Sequence, residues 1–294
     1  MSHLAALGLG YTANTLARKL RKSGWHVTGS SRTETGADAI REQGYGALVL
    51  NDDTTVEMLA GTLETVTHIL VSASPGAPGD PIIERIKQIR TRLPQLEWIG
   101  YLSTIGVYGG HEGGWIDEET LPQPTSERGK RRVVAENAWF EFSSVYSTKV
   151  QVFRLPGIYG PGRSVFDRLR AGTSRRIIKP GQMFNRMHVD DIAGALECAI
   201  NPPSSKSTLF NLTDGSPAAP QDAITYAADL MSIEPPPEMA FNDAEMTEMA
   251  RSFYGDNKRV SNARMKIELG YEPRYPTYKE GLAAIWQAES AERK

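Results

Sequence analysis

The 294-residue chain carries 33 Lys and Arg against 35 Asp and Glu, a formal net charge of −2, with 40% hydrophobic and 23% charged residues. That balance is ordinary for a globular protein and argues against a nucleic-acid or membrane-surface binder, while no apolar run reaches the length of a spanning helix. A chain of this size buries a core without metal or disulfide staples.

Short β-rich runs alternate with helical patterns through the first half, the signature of a parallel sheet with helices on both faces. The expected strands are Leu4–Gly8, Val27–Ser30, Ala47–Leu50, Ile69–Ala73, Ile99–Thr104 and Val150–Leu155. Helical patterns cover Thr12–Lys22, Ala37–Gln43, Val56–Leu63, Ile82–Leu93 and Arg131–Phe142. After Leu155 the character changes, with loops expected at Gly157–Arg163 and Pro202–Ser205 and a proline cluster at Pro235–Pro237. Met187–Asn201 and Leu209–Thr213 read as returns to the main sheet, and helices are expected at Ala244–Phe253, Ala263–Leu269 and Glu280–Glu289. The fold class is therefore α/β: a doubly wound parallel Rossmann sheet with a smaller, mainly C-terminal substrate-binding lobe. The expected division gives residues 1–162, with returns at 186–213, to the dinucleotide-binding domain, and residues 163–185 and 214–294 to the smaller lobe.

The first strand breaks into Gly8-Leu9-Gly10-Tyr11-Thr12-Ala13 and opens a helix. A dinucleotide-binding turn needs Gly8 for the bend, Gly10 for close approach of a pyrophosphate, and a small residue, Ala13, where helix packs on strand. The amides of Tyr11, Thr12 and Ala13 then face the phosphates from the helix N-terminus. Alone, G-x-G-x-x-A is a weak signal; its place between a strand and a helix strengthens it. NAD-binding versions carry an acid about 20 residues on, whereas the second strand here ends in Thr28-Gly29-Ser30-Ser31-Arg32. Hydroxyls and a guanidinium suit a 2′-phosphate, so Ser31 and Arg32 point to NADP(H) rather than NAD(H).

Cys198 lies in an apolar helical run and reads as a packed thiol; a single cysteine allows no intrachain disulfide. The histidines (His3, His26, His68, His111, His188) are scattered without metal-ligand spacing, so no metal is expected. The N-terminus lacks a basic and apolar leader pattern, and the expected location is cytoplasmic.

Several further motifs, in order along the chain, resemble the extended short-chain dehydrogenase/reductases, the class that includes nucleotide-sugar epimerases and dehydratases. They are Ser103-Thr104-Ile105-Gly106-Val107-Tyr108-Gly109, Arg154-Leu155-Pro156-Gly157-Ile158-Tyr159-Gly160-Pro161-Gly162, Arg186-Met187-His188-Val189-Asp190-Asp191-Ile192-Ala193 and Asn211-Leu212-Thr213-Asp214-Gly215. The glycine turn and the loop Pro124–Lys130 look most like its atypical bacterial branch, the YeeZ-like proteins. The resemblance implies dinucleotide contacts from Ser72, Ala73 and Ser103, a catalytic hydroxyl at Thr104, a small-molecule substrate and a homodimer.

The chain departs from the family where chemistry matters. Active members use a Tyr-x-x-x-Lys pair; if Glu136 marks the glutamate that follows it, the two positions here are Arg128 and Arg132. A guanidinium does not titrate usefully, so Arg128 cannot replace the phenol. A two-residue slip would offer Ser126 and Lys130, again without a phenol. In one reading the chain still catalyses, with Thr104 beside the substrate oxygen and Tyr108 or an arginine-bound water supplying the proton. In the other it is an NADP(H)-binding sensor or scaffold that has lost the chemistry; loss of the cofactor too is least compatible with the intact turn. Tyr108 has a core-packing reading of equal standing, and for Tyr159 packing ranks above catalysis. His188 reads as structural, with Asp190 or Asp191 as a helix cap. Among the many basic residues, Arg163 and Arg186 lie inside motifs and are expected near a phosphorylated or nucleotide-linked substrate.

Overall fold

A computed structural model describes residues 1–76, 79–201 and 208–292; the loop expected at Pro202–Ser205 lies outside the described residues. In chain order the first half runs β1 (His3–Leu7), α1 (Tyr11–Lys22), β2 (His26–Ser31), α2 (Glu34–Glu42), β3 (Gly46–Val49) and α3 (Val56–Leu63). It continues with β4 (His68–Val71), α4 (Pro81–Ile89), β5 (Trp98–Thr104), β6 (Trp115–Ile116), α5 (Glu127–Tyr146) and β7 (Lys149–Leu155). The second half holds β8 (Gly157–Tyr159), α6 (Val165–Arg170), β9 (Arg176–Ile178), β10 (Arg186–His188), α7 (Val189–Ile200) and β11 (Leu209–Asn211). It closes with α8 (Pro220–Met231), β12 (Glu238–Ala240), α9 (Glu248–Gly255), β13 (Arg259–Val260), α10 (Ala263–Leu269) and α11 (Tyr278–Glu292). None of these helices is long and apolar enough to cross a membrane.

Seven strands form one sheet in the order β11-β7-β5-β4-β1-β2-β3. The pairings of β1 with β2 and β4, of β2 with β3 and of β4 with β5 are parallel, with Leu4 opposite Val27 on one side and His68 on the other. The six expected strands are all present, and the return at Leu209 adds the seventh, on the sheet edge. Strands buried on both faces are continuously apolar, and Leu4, Ala5, Ala6, Ile69, Leu70 and Val71 are all fully buried. The chain builds outward from β1 through β2 to β3 and then returns to β4 beside β1, so the order reverses between β1 and β4. In open α/β sheets that reversal opens a crevice at the strands' carboxyl ends, the usual place for a ligand.

Side chains fix several helix starts. Thr33, Thr55, Asp80 and Thr247 each accept a hydrogen bond from a backbone amide of the following turn. The Thr33 cap starts α2 at Glu34, three residues before the expected Ala37, because Gly36 is tolerated inside the first turn. The Thr247 cap likewise moves α9 to Glu248. The helix expected over Ile82–Leu93 ends at Ile89 and finishes in a 3-10 turn over Arg90–Arg92. Two helices were not foreseen: α6, started by a capping box in which Ser164 and Asp167 satisfy each other's backbone and side chain, and α8, which opens with Pro220 at its first position. A proline there costs nothing, since that amide has no partner within the helix.

The chain divides into two compact units. The first comprises Met1–Thr104, Lys130–Arg154 and Ala193–Phe210, and the second Ile105–Gly129, Leu155–Ile192 and Asn211–Lys294. The second unit holds three two-stranded parallel pairings, β8 with β10, β9 with β12 and β6 with β13. Its core joins Tyr159 and Phe166 to Ile224 and Ala227 of α8 and Leu282 and Ile285 of α11.

Candidate functional site

At the carboxyl end of β1 in the first unit, Gly8 has φ +91, a conformation that favours glycine, and a Cβ there would lie 2.9 Å from the Ala73 amide nitrogen. The amides of Ser72 and Ala73 donate to the Leu7 carbonyl at 3.0 and 3.1 Å, which fixes this close approach of the β1 and β4 ends. Gly10 is the reverse case: it is exposed, and a Cβ added to it would meet nothing within 4 Å. It is the N-cap of α1 and brings no side-chain cap. Thr12 and Ala13 are buried, so they offer the site their amides and not their side chains; Tyr11 is half-buried. The surroundings thus fit a pyrophosphate: a backbone cradle open over Gly10, a helix N-terminus without a side-chain cap, and no carboxylate in the turn.

At the end of β2 the three polar residues part company. Ser30 is buried and its Oγ accepts the Gly8 amide at 2.8 Å, so this hydroxyl supports the turn and is not available to a phosphate. Ser31 is half-buried; its Oγ accepts the Thr33 amide at 3.3 Å and lies where a Cβ on Gly36 would sit. Arg32 is exposed, and Asn51 Nδ2 reaches its carbonyl at 3.5 Å. Of the residues expected to recognise a 2′-phosphate, Arg32 presents its side chain outward.

Deeper in the same unit, the residues at the end of β5 meet the middle of α5. Ser103 Oγ donates to Glu136, which also accepts Nε and Nη2 of Arg154 at 3.1 and 2.6 Å. Glu136 and Arg154 are 1% and 3% exposed, so this is a buried, bidentate ion pair, and the Ser103 hydroxyl expected at the cofactor is engaged inside it. Arg132 is buried as well: its guanidinium donates to the Leu102 carbonyl, to Tyr101 Oη at 3.3 Å and to Ser74 Oγ at 3.1 Å. It ties the segment after β4 to β5, and burial raises the Tyr101 phenol above its ordinary pKa. Arg128, one turn earlier on α5, is exposed. Thr104 is half-buried at the last position of β5.

Within the second unit Tyr108 is fully buried and its hydroxyl donates to Asn211 Oδ1 at 2.9 Å, the environment its core-packing reading expects. Tyr159 is buried too, its hydroxyl donating to the Thr277 carbonyl at 3.4 Å. The loop after Tyr108 is fastened by the segment Asp256–Arg259. Asp256 accepts Thr125 Oγ1 at 2.9 Å, the Asn257 carbonyl accepts the amides of His111 and Gly113, and Lys258 Nζ donates to the Gly109 carbonyl at 2.6 Å. Lys258 is 3% exposed, and burial lowers its pKa. No signal in the sequence marked this segment. His188 is structural: its Nδ1 accepts the Asp190 amide at 3.2 Å, and its ring packs against Tyr159 and Tyr275. Asp191 does not cap α7 but accepts Tyr271 Oη and the amides of Arg274 and Tyr275.

Arg163 and Arg186, 23 residues apart in sequence, line one cavity of about 460 Å³ in the second unit, together with Arg168. Its apolar floor comes from Ile158, Val165, Pro220, Ala223, Ile224 and Leu282. The Arg186 guanidinium lies 5.9 and 5.8 Å from the Phe184 and Tyr278 ring centres, and burial lowers its pKa. Burial also pushes the neighbouring Asp214 carboxyl up to about 7. Among the described residues no group of three or more His, Cys, Asp or Glu could hold a metal ion.

No protein-family model matches the chain. A solved structure of a functionally unknown conserved protein from Silicibacter pomeroyi DSS is 44% identical, with a TM-score of 0.89 over 98% of this chain and 99% of that one. Protein YeeZ of Escherichia coli K12 is 29% identical over 290 residues, 94% of this chain and 97% of YeeZ. A structure from Methylobacillus flagellatus, assigned as an NAD-dependent epimerase/dehydratase, is 25% identical with a TM-score of 0.71 over 100% and 99% of the two chains. The chain belongs to the extended short-chain dehydrogenase/reductases.

Proposed function

We propose that this short-chain dehydrogenase/reductase binds NADP(H) on its first unit and acts as an oxidoreductase or epimerase/dehydratase on a carbonyl or hydroxyl of a small molecule held by its second. The observation that carries the reading is the contrast between Gly8, pressed against Ala73, and Gly10, open to a ligand. A packing corner requires the first glycine but not the second. Gly8, Gly10 and the amides of Tyr11, Thr12 and Ala13 would hold the pyrophosphate. Arg32, with Ser31 beside it, would take the 2′-phosphate, and Ser72 and Ala73 would form the opposing wall. The dinucleotide, when bound, supplies the hydride acceptor or donor.

The chain's own contribution to proton transfer is reduced to few groups. Arg128 offers a guanidinium and no phenol. Tyr108 is buried with its hydroxyl given to Asn211, and Arg132 is engaged with β5 and Ser74. Thr104, half-buried at the last position of β5, would orient the substrate oxygen by hydrogen bonding while water completes the exchange. The Methylobacillus protein's assignment as NAD-dependent supports the cofactor class; the choice of NADP(H) rests on Arg32 and the absence of an acid after β2.

The test is to denature the protein as purified, identify any released dinucleotide by mass spectrometry, and titrate the emptied protein with NADPH and NADH. Released NADP⁺, or an empty protein that binds NADPH more tightly than NADH, supports the reading. A protein that neither carries nor binds a dinucleotide refutes it.

A further inference from the structure

The cavity of the second unit has a lining whose chemistry can be read group by group. Three guanidinium groups, Arg163, Arg168 and Arg186, stand along it against a single carboxylate, Asp167. That carboxylate already accepts the Ser164 amide at 2.8 Å and the Ser164 hydroxyl at 3.2 Å, and lies 3.6 Å from Arg170. The electrostatic excess is positive, in a site whose low-dielectric walls strengthen it.

The neutral polar side chains are engaged in holding the fold. Asn185 donates its Nδ2 to the Lys258 carbonyl at 3.0 Å and accepts the Val260 amide on Oδ1 at 2.8 Å. The Ser164 hydroxyl accepts the Phe166 amide besides donating to Asp167. The Tyr159 hydroxyl faces the Thr277 carbonyl. Arg186 itself donates from Nη1 to the Phe184 and Ala218 carbonyls at 3.3 and 3.4 Å, so the lining offers a ligand the charge of its arginines and the Tyr278 hydroxyl over the floor of Ile158, Val165, Ile224 and Leu282. A ligand rich in hydroxyls or amides would bury them here without partners, at a cost for each. A ligand with one anionic group and an apolar remainder would bury neither kind of group unsatisfied.

We infer that this cavity binds an amphiphilic anion, a carboxylate or phosphate ester on an aromatic or branched aliphatic body, in preference to a nucleotide sugar. The assignment rests on the reading of the second unit as the substrate-holding part of an oxidoreductase or epimerase, and it names the substrate class.

Isothermal titration of the full chain at low salt with 1-naphthyl phosphate, inorganic phosphate and UDP-glucose tests it. The naphthyl ester is expected to bind at one site, on the order of tenfold or more tighter than either inorganic phosphate or UDP-glucose, because it alone combines the anion with apolar burial. Arg163→Gln and Arg168→Gln, both at exposed positions, are each expected to weaken it roughly tenfold through loss of a charge-assisted contact. 1-Naphthoate in place of the ester distinguishes the two head groups, and binding of either one supports the inference. UDP-glucose binding as tightly as the ester, inorganic phosphate matching it, affinities unmoved in both arginine variants, or no binding at all would each overturn it. NADPH titrated into the same samples reads the cofactor half separately, so retained NADPH binding beside a failed naphthyl titration removes this inference and leaves the function proposed above.

Discussion

The two glycines of the β1–α1 turn allow the cofactor reading to be separated from a plain packing reading by paired substitutions. In Gly8→Ala the new methyl must accept φ +91 and a 2.9 Å approach to the Ala73 backbone nitrogen. The left-handed region costs an alanine about 1–2 kcal/mol, and a clash with backbone pinned to Leu7 adds a similar amount, so about 2–4 kcal/mol of stability should be lost. Gly10→Ala faces neither problem. Its backbone is extended, at φ −87 and ψ −169, and its Cβ meets nothing. Alanine is the poorer N-cap by up to about 1 kcal/mol, but it also reduces the freedom of the unfolded chain by about 0.4–1 kcal/mol, so the net effect on stability should lie near zero. In the Gly10 variant the methyl stands where a pyrophosphate has to approach, and NADPH affinity should fall at least about tenfold, which corresponds to about 1.4 kcal/mol. Urea unfolding and a fluorescence titration with NADPH measure the two quantities on the same samples. A Gly10→Ala protein of unchanged stability that binds NADPH like the parent would refute the assignment of this turn to a dinucleotide.

Three further outcomes are expected. Arg32→Ala should weaken NADPH binding far more than NADH binding, and equal losses in parallel titrations would remove the 2′-phosphate from its role. Glu136→Gln should cost about 3 kcal/mol in urea unfolding by leaving Arg154 buried beside a neutral partner, whereas Glu136→Gln with Arg154→Met should recover much of that loss; a double variant no better than the single one would contradict this account. His3 and His68 are both held below their ordinary pKa by burial. Because the unfolded chain takes up these protons first, their stabilising share is complete above about pH 6.5 and is lost as pH falls through the folded values. His68→Phe, which keeps a ring beside Trp25 and Trp98, should therefore flatten the decline in unfolding free energy below pH 6.5. An identical decline in the variant would exclude His68 as its source.

Much of the sheet was legible in the sequence because its inner strands are buried on both faces and therefore read as unbroken apolar runs. The edge strand Leu209–Asn211 is three residues long, too short for its pattern to show more than a return toward the sheet. Pro220 concealed α8 because a proline at a helix's first position looks, in sequence, like any other loop proline. At the candidate site, glycine positions were visible because backbone constraint acts on the residue itself. The partners of polar side chains were not. Ser30 and Ser31 are adjacent and alike, yet one accepts from Gly8, 22 residues away, and the other from Thr33. The engagement of Ser103 with Glu136 and Arg154 joins residues 33 and 18 apart, and the burial of Tyr108 depends on Asn211, 103 residues downstream. Such pairings exist only once the elements are folded together.

The fastening of the loop after Tyr108 by Asp256–Arg259 also bears on how the protein is made. Thr125 and its partner Asp256 are 131 residues apart, so on a ribosome adding about 5–20 residues per second the loop waits on the order of ten seconds for the residues that hold it. During that interval the loop lacks the contacts that Asp256–Arg259 supply, and a chain terminated before Asp256 never acquires them. The final stretch of translation completes a surface that the first half of the chain appeared to encode by itself.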